Sequence, residues 1–314
     1  MQPMRIVLPG ALPGPTIAAE LLSHLPAAAP RLIKWLENSQ ATHVAADPEQ
    51  TRCTPLEAWQ LRASDYQAQS GQVRGAGLGP FLANGHITDD KPVWLLELVH
   101  LAAAREGAIL QPARTLAITA EESQALYDTA SALFTDTDFK LEPLATTHWR
   151  VHLPDGYQPA CASPELVSLG NVTDWWEQDV NGRAWRRLAN ELQMAWFDHA
   201  VNQSRAEQGQ TPINGVWLFG GGRRSQLGQP ASRADAQIDT SLLQAWRTAD
   251  WGSWLTALKQ LDETVFASFG AQAQPELVLA GHDDFVVLKP GKSLWQRLQP
   301  NHRNKWKKWW SNPQ

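Results

Sequence analysis

Residues 185–222 read WRRLANELQMAWFDHAVNQSRAEQGQTPINGVWLFGGG, and the order helix, polar turn, buried strand in this stretch sets the fold class. Leu188, Leu192, Trp196 and Ala200 recur at helical spacing and form an apolar side. Glu191, Asp198, Asn202 and Arg205 sit at offsets of 0, 7, 11 and 14, one side of the same period, and form a polar stripe. The spacing predicts one long helix. A short polar turn then leads into INGVWLFGGG, a buried strand running into Gly220, Gly221 and Gly222, with Arg223 and Arg224 directly after. A strand that ends in glycines and arginines offers backbone N–H groups and positive charge to an anion. The stripe and this turn are therefore the first place to look for a site.

Outward from this stretch, strand-like and helical segments alternate. Residues 5–10 (RIVLPG) read as a strand, and residues 12–36 as a helical region interrupted by prolines. Residues 54–66 read as a helix with Thr54 at its N-cap, Pro55 in the first turn and Glu57 at the third position. SGQVRGAGLGP (residues 70–80) reads as a loop; its glycine spacing lacks the preceding strand that a dinucleotide site requires. Residues 92–101 resemble a buried strand, with a helix as the alternative, residues 113–118 read as a strand, and Thr119 with Glu122 opens a further capped helix. Residues 139–144 and 148–153 read as a strand pair, and residues 225–239 as a polar surface loop. Helices are expected over 241–249 and 251–261, and strands over 275–280 and 284–288. This alternation argues for an α/β layered fold, a sheet with helices on both faces. No linker divides the chain, so one domain over residues 1–291 with a tail over 292–314 is the simplest organisation.

Composition narrows the class. The chain has 314 residues and a formal net charge of −5, with 43% hydrophobic and 19% charged residues, which suits a globular protein with a large core. No run reaches the roughly 18 apolar residues a membrane span needs, and the N-terminus lacks a signal-peptide pattern, so the cytoplasm is the expected location. Two cysteines, Cys53 and Cys161, make neither a disulfide framework nor a metal-binding spacing, and both are expected reduced. Sixteen tryptophans stand against three tyrosines, and most are expected in the core.

The run from Asn190 to Gly222 also resembles a known family. Asn190, Glu191, Gln193 and Met194, then His199, Val201, Asn202 and Arg205, then Pro212, Asn214, Trp217, Gly220 and Gly222 match the signature of bacterial RpfE-type regulatory proteins, a group also described as cofactor-independent phosphoglycerate mutases. ASPELVSLGNVTDWW (residues 162–176) resembles a further motif of that family, with weaker similarity over roughly residues 90–290. The resemblance implies an alkaline-phosphatase-like, phosphoglycerate-mutase-like α/β fold. It also implies two divalent metals held by Asp and His residues, which would clamp a phosphoryl group and activate the attacking oxygen. This chain departs from that pattern. The first strand ends in Pro9 and Gly10 with no acid nearby, and the late Asp-His pairs are replaced by Gly281-His282-Asp283-Asp284. The two-metal machinery is expected to be absent or heavily altered.

Each candidate residue has a functional and a structural reading. Glu191, Asp198 and His199 form either an acid–base cluster or a helix-packing set. Asn202, Arg205 and Asn214 either line a polar pocket or pin the helix to the strand. Arg223 and Arg224 either contact an anion bidentately or form a solvated basic loop. His282, Asp283 and Asp284 are the weak candidates for a metal, against a tight turn. His100, His148 and His152 lie in strand-like segments, the last two on one face. From Lys292 onward there are Lys292, Arg297, Arg303, Lys305, Lys307 and Lys308, no acid, and the interleaved Trp295, Trp306, Trp309 and Trp310. Such a tail suits an anionic membrane surface, a protein partner, or docking on the body, and nucleic acid is not expected. The expected function is the binding of a small phosphorylated or carboxylated ligand in a regulatory role, without catalysis and without a cofactor. The alternatives are a phosphomutase or phosphohydrolase using manganese or zinc, and a peripheral membrane or scaffold protein acting through the tail.

Overall fold

Short local signals set most element boundaries. The computed structural model describes residues 4–83, 85–176, 178–228, 236–269, 275–290 and 305–311. In chain order the first elements are β1 (Arg5–Pro9), α1 (Pro15–Leu21), α2 (Leu25–Ala28), α3 (Pro30–Asn38), β2 (Ser39–Ala45), α4 (Pro48–Thr51), α5 (Pro55–Ala63) and α6 (Leu78–Leu82). There follow β3 (Val93–Ala104), β4 (Gly107–Gln111), α7 (Ala120–Phe134), β5 (Lys140–Pro143), β6 (His148–His152) and α8 (Pro164–Val167). Next come α9 (Arg183–Phe197), α10 (Ala200–Glu207), β7 (Gly215–Gly222) and β8 (Ala236–Ile238). The last are α11 (Leu243–Arg247), α12 (Trp251–Thr264), β9 (Glu276–Ala280), β10 (Asp284–Pro290) and α13 (Lys305–Ser311). The architecture is mixed α/β with two sheets, and among the described residues no helix is long and apolar enough to cross a membrane.

The chain gathers into two compact units, one of residues 1–48 with 231–314 and one of residues 49–230. The expectation of one body over 1–291 with a separate tail carries no such division. Its crossings lie beside single prolines, Pro48 and Pro230, and no linker marks them.

In the first unit the sheet order is β2-β10-β9-β1-β8. β1 lies parallel to both β8 and β9, and β10 runs antiparallel to β9 and β2. Ile6 and Leu8 of β1 and Leu277 and Leu279 of β9 are fully buried beneath α1, α3 and α12, whose Leu21, Leu32, Trp35, Trp254 and Leu258 complete the core. The tail joins this core. Trp306 and Trp310 of α13 are buried in it, and the Trp309 ring meets His43 edge-on at 5.3 Å. Those two indoles are therefore held inside the unit, and Trp295 lies outside the described residues. β2 (SQATHVA) has no apolar alternation to announce it; it is recruited through backbone pairing by β10.

In the second unit β3 is the spine. Val93–Val99 pairs antiparallel with β7, Trp94–Glu97 with β6, and His100–Ala104 with β4. β5 completes the sheet beside β6. One face buries Leu96, Leu98, Trp149, Val216 and Leu218 against Leu126, Ala130 and Phe134 of α7 and Leu188, Leu192 and Trp196 of α9. Thr54 and Thr119 both form complete capping boxes, with Glu57 and Glu122, so these two helices start where their sequences say.

Three expectations need correction. The long helix is broken: Asp198 ends α9, and His199, with extended backbone (φ −67°, ψ 141°), caps α10. Its Nδ1 accepts the Val201 N–H, so the break is itself a capping event and moves Asn202 and Arg205 inward. Residues 113–118 are not a strand but a single 3₁₀ turn (Ala113–Thr115), followed by Ala117 in the left-handed region. RGAGLGP is not an open loop but a 3₁₀ turn (Arg74–Gly77) running into α6.

Candidate functional site

The polar residues of the 185–222 stretch fall into separate clusters. Arg205, only 2% exposed, is fully engaged: Nε donates to Thr211 O at 2.8 Å, Nη1 to both carboxylate oxygens of Glu122 at 2.9 Å, and Nη2 to Leu116 O. Asn202 donates through Nδ2 to Trp196 O and Ile213 O and accepts the Ile213 N–H at 2.8 Å. Asn214 takes the Leu101 N–H at 2.7 Å and donates to Leu101 O at 3.0 Å, filling the place of a strand partner beyond the end of the β3–β7 ladder. His199 Nε2 lies 3.1 Å from Thr129 Oγ1; with Nδ1 accepting, Nε2 carries the proton and donates. Glu191 pairs with Arg187 on the surface, and Asp198 is exposed. His199, Asn202, Arg205 and Asn214 pin α7, α9 and α10 to the entry of β7, and Glu191 and Asp198 take no part.

The glycine turn lies at the opposite end of β7, about 23 Å away at the usual strand rise. The register slips between Val93 and Trp94, and Gly220 and Gly221 take φ values of 99° and 105°, so Gly221 is the extra residue of a bulge. The reason is a close approach. A Cβ on Gly79 would collide with the Val93 carbonyl, and one on Gly220 would meet Gly79 Cα at 3.0 Å. One on Gly222 would meet Ala76 O at 2.8 Å. The two glycine-rich segments are thus packed on each other. The anion this turn holds is the chain's own Asp90. Its carboxylate accepts the N–H and the hydroxyl of Ser225 at 2.8 Å, which lowers its pKa, and Arg223 Nη1 donates to Asp90 O at 2.7 Å. Arg224 is exposed. The helix stripe and the arginines therefore do not converge on one pocket.

The donor set of a two-metal centre is not assembled either. Among the described residues no three His, Cys, Asp or Glu side chains are grouped to hold an ion. His282 and Asp283 are exposed, and the half-buried Asp284 has its carboxyl pushed up to about 6 by burial and by the neighbouring Asp283 charge. His148 Nε2 meets Glu97 at 3.0 Å and His152 Nε2 meets Glu142 at 2.9 Å, so each strand histidine already has a carboxylate partner. His100 Nδ1 sits 2.9 Å from Pro212 O, and burial lowers its pKa.

A pocket does form at the start of the quoted stretch. At the N-terminus of α9, Trp185, Arg186 and Gly182 join Trp175, Trp176 and Trp217 around a cleft of about 360 Å³, counting its mouth. Tyr157, Cys161 and Leu218 complete its wall. The Trp176 and Trp217 rings pack at 5.4 Å, and the buried Trp217 directs its Nε1–H to Ala162 O at 2.9 Å. Arg52 lies over Trp175, 5.2 Å from the ring centroid. The helix end is basic, with one acid beside it: Asp179 Oδ1 accepts the Gly182 N–H at 2.9 Å. Gly182 supplies no side-chain cap and the first turn holds no acid, while Arg183, Arg186 and Arg187 add cations where the helix dipole is already positive. Arg187 turns back to Glu191 at 2.8 Å, and Arg186 is 3.9 Å from Asp179. Gly182 makes room for the guanidinium, since a Cβ there would meet Arg186 Nη1 at 2.8 Å.

Sequence reasoning set aside the aromatic residues as core. Every tryptophan among the described residues is indeed buried or half-buried. The usable signal was local: an arginine-rich first helical turn with no acid, next to a Trp-Trp pair.

No family model and no curated protein matches the chain. Among solved structures the chain is similar to the cofactor-independent phosphoglycerate mutase from Thermoplasma acidophilum DSM 1728, at 15% identity over 93% of this chain and 90% of that one, with a TM-score of 0.34. It is also similar to the PH0037 protein from Pyrococcus horikoshii, at 14% identity over 93% and 88%, with a TM-score of 0.43.

Proposed function

We propose that this protein is a small-anion-binding protein of the RpfE regulatory type, whose ligand sits in the pocket at the N-terminus of α9. One observation carries the reading: the N-terminus of α9, with no side-chain cap from Gly182 and with Arg183 and Arg186 but no acid in its first turn, opens into a cleft walled by indoles. A carboxylate or phosphate there would meet the N–H groups of Ala184 and Trp185, since those of Arg183 and Arg186 already donate to Val180 O and Gly182 O, and would face the positive end of the helix dipole beside Arg186. Arg186 takes the place expected of Arg223 and Arg224, because Arg223 Nη1 is engaged by the Asp90 carbonyl. The two-metal phosphoryl-transfer reading loses support because, among the described residues, no three His, Cys, Asp or Glu side chains are grouped to hold an ion. Calorimetric titration with inorganic phosphate, 3-phosphoglycerate and small carboxylates tests the proposal. Native protein and the Arg223→Ala/Arg224→Ala variant are expected to give equal heats, and Arg186→Gln to give none. Heats unchanged in Arg186→Gln would overturn it.

A further inference from the structure

We infer that the open edge of β2 is a self-association surface, on which a second copy of this chain pairs antiparallel about a two-fold axis at Thr42. β2 is the outermost strand of the first unit's sheet. One step past the end of its ladder with β10, the Ala46 N–H donates to Asp283 O at 2.7 Å, which makes that pair the hydrogen-bonded kind and fixes the alternation. Val44, Thr42 and Gln40 therefore direct their backbone groups to Phe285, Val287 and Lys289. Ala45, His43, Ala41 and Ser39 direct theirs outward, where no strand pairs with them among the described residues. The Gly281 N–H to Asp284 O bond, at 2.9 Å, gives the matching alternation on the far side of β10. Every residue of β2 except Ser39 and Val44 is exposed.

This edge lacks the usual protections. SQATHVA holds no proline, no glycine, no lysine and no carboxylate, and its register with β10 runs without a bulge over all seven residues. The strand also fits its own reverse. With Thr42 on the axis, Ala41 faces the copy's His43 and Ser39 faces the copy's Ala45, so every outward N–H and C=O of both strands finds a partner. Thr42 then meets its own copy as a non-hydrogen-bonded pair, the closer kind, in which two threonines pack favourably. Centring the pairing on Ala41 or on His43 leaves Ala45 or Ser39 outside the ladder, and the second choice sets two imidazoles against each other. Head-to-tail joining to the sheet's other edge is limited by β8, which has only three residues. A copy of β2 is the occupant that uses the whole edge.

Sedimentation velocity of the full chain over a range of concentrations should show a monomer–dimer equilibrium. Thr42→Asp and Thr42→Lys each set like charges across the axis, so each alone should be monomeric, and an equal mixture should recover the dimer. Ala41→Pro removes an outward N–H where an edge strand tolerates proline, and should weaken the dimer about thirtyfold through two lost hydrogen bonds. Mild oxidation should link two chains of Thr42→Cys but not of Gln40→Cys, whose counterpart is Val44, with the native chain as the control for Cys53 and Cys161. Circular dichroism confirms that each variant folds. A monomer at every concentration would overturn the inference and leave the edge to a foreign strand. A dimer indifferent to Thr42→Asp, no recovery on mixing, no Thr42→Cys link, or assembly that keeps growing with concentration would overturn it as well.

Discussion

Replacing Arg205 with alanine separates a ligand-binding stripe from an internal staple. The side chain is 2% exposed, and its guanidinium serves Thr211 O, Leu116 O and both oxygens of Glu122. Removing one member of a buried ion pair costs about 3–5 kcal/mol when the other charge is left without compensation. Glu122 is not wholly abandoned: its side chain is 19% exposed and still accepts the Thr119 N–H at 2.9 Å, which places the electrostatic loss near the low end. Two carbonyls lose their donor, at about 1 kcal/mol each. The expected total is about 3–5 kcal/mol. Because the chain has two units, a single melting midpoint would mix them. Hydrogen exchange followed by mass spectrometry isolates the effect. Peptides spanning α7, α10 and the entry to β7 should lose about 150-fold or more in protection, the equivalent of 3 kcal/mol. Peptides from β1 and β9 should not change. A change of less than about fivefold in α7 and α10, roughly 1 kcal/mol, would refute the staple and return Arg205 to the list of binding residues.

Other positions give equally direct tests. Burial raises the Glu57 carboxyl from 4.5 to about 7, despite hydrogen bonds from Ser163 and Thr54. The folded protein thus holds a proton that the unfolded chain has released, and stability should fall as pH rises from about 4.5 to 7, by up to ~3 kcal/mol, and level off above. Glu57→Gln should flatten that slope in the hydrogen-exchange protection of α5 peptides; an unaltered slope would show that another group sets it. Gly79→Ala forces a Cβ into the Val93 carbonyl, with backbone on both sides, and should destabilise by on the order of 3 kcal/mol; a loss of less than about 1 kcal/mol in the hydrogen-exchange stability of β3 and β7 peptides would mean that α6 slides freely. Protein purified without chelator and offered manganese and zinc is expected to retain less than one ion per chain by elemental mass spectrometry. About two tightly held ions per chain would restore the mutase chemistry.

Legibility in the sequence followed the range of the forces. Capping boxes at Thr54 and Thr119, the strands RIVLPG and PVWLLELVHL, and the amphipathic run of α9 are local patterns, and each appears where its residues put it. The break at His199 was hidden because its imidazole competes with helix continuation, and periodicity counts cannot register a side chain acting as a cap. The meaning of Gly220–Gly222 was hidden for a different reason. A glycine needed by a ligand and a glycine needed by Gly79, 141 residues earlier, look the same in one dimension. The surroundings of the arginines were hidden likewise, because Asp90 reaches Ser225 and Arg223 from far along the chain. The pocket itself needed Trp217 to be brought beside Trp175 and Trp176, which only the folded sheet does.

The parallel pairing of β1 sets a schedule for synthesis. Its sheet neighbours begin at Ala236 and Glu276, more than 230 residues after Arg5. At a ribosome's pace of about 5–20 residues per second, β8 emerges roughly 12–46 s after β1. During that interval Ile6, Val7 and Leu8, which end fully buried, have no sheet to join, while the second unit has all of its own strands in hand. The nascent chain therefore carries an open apolar strand for longer than most domains take to fold, and its yield in a cell should depend on what shelters those three residues until the C-terminal strands arrive.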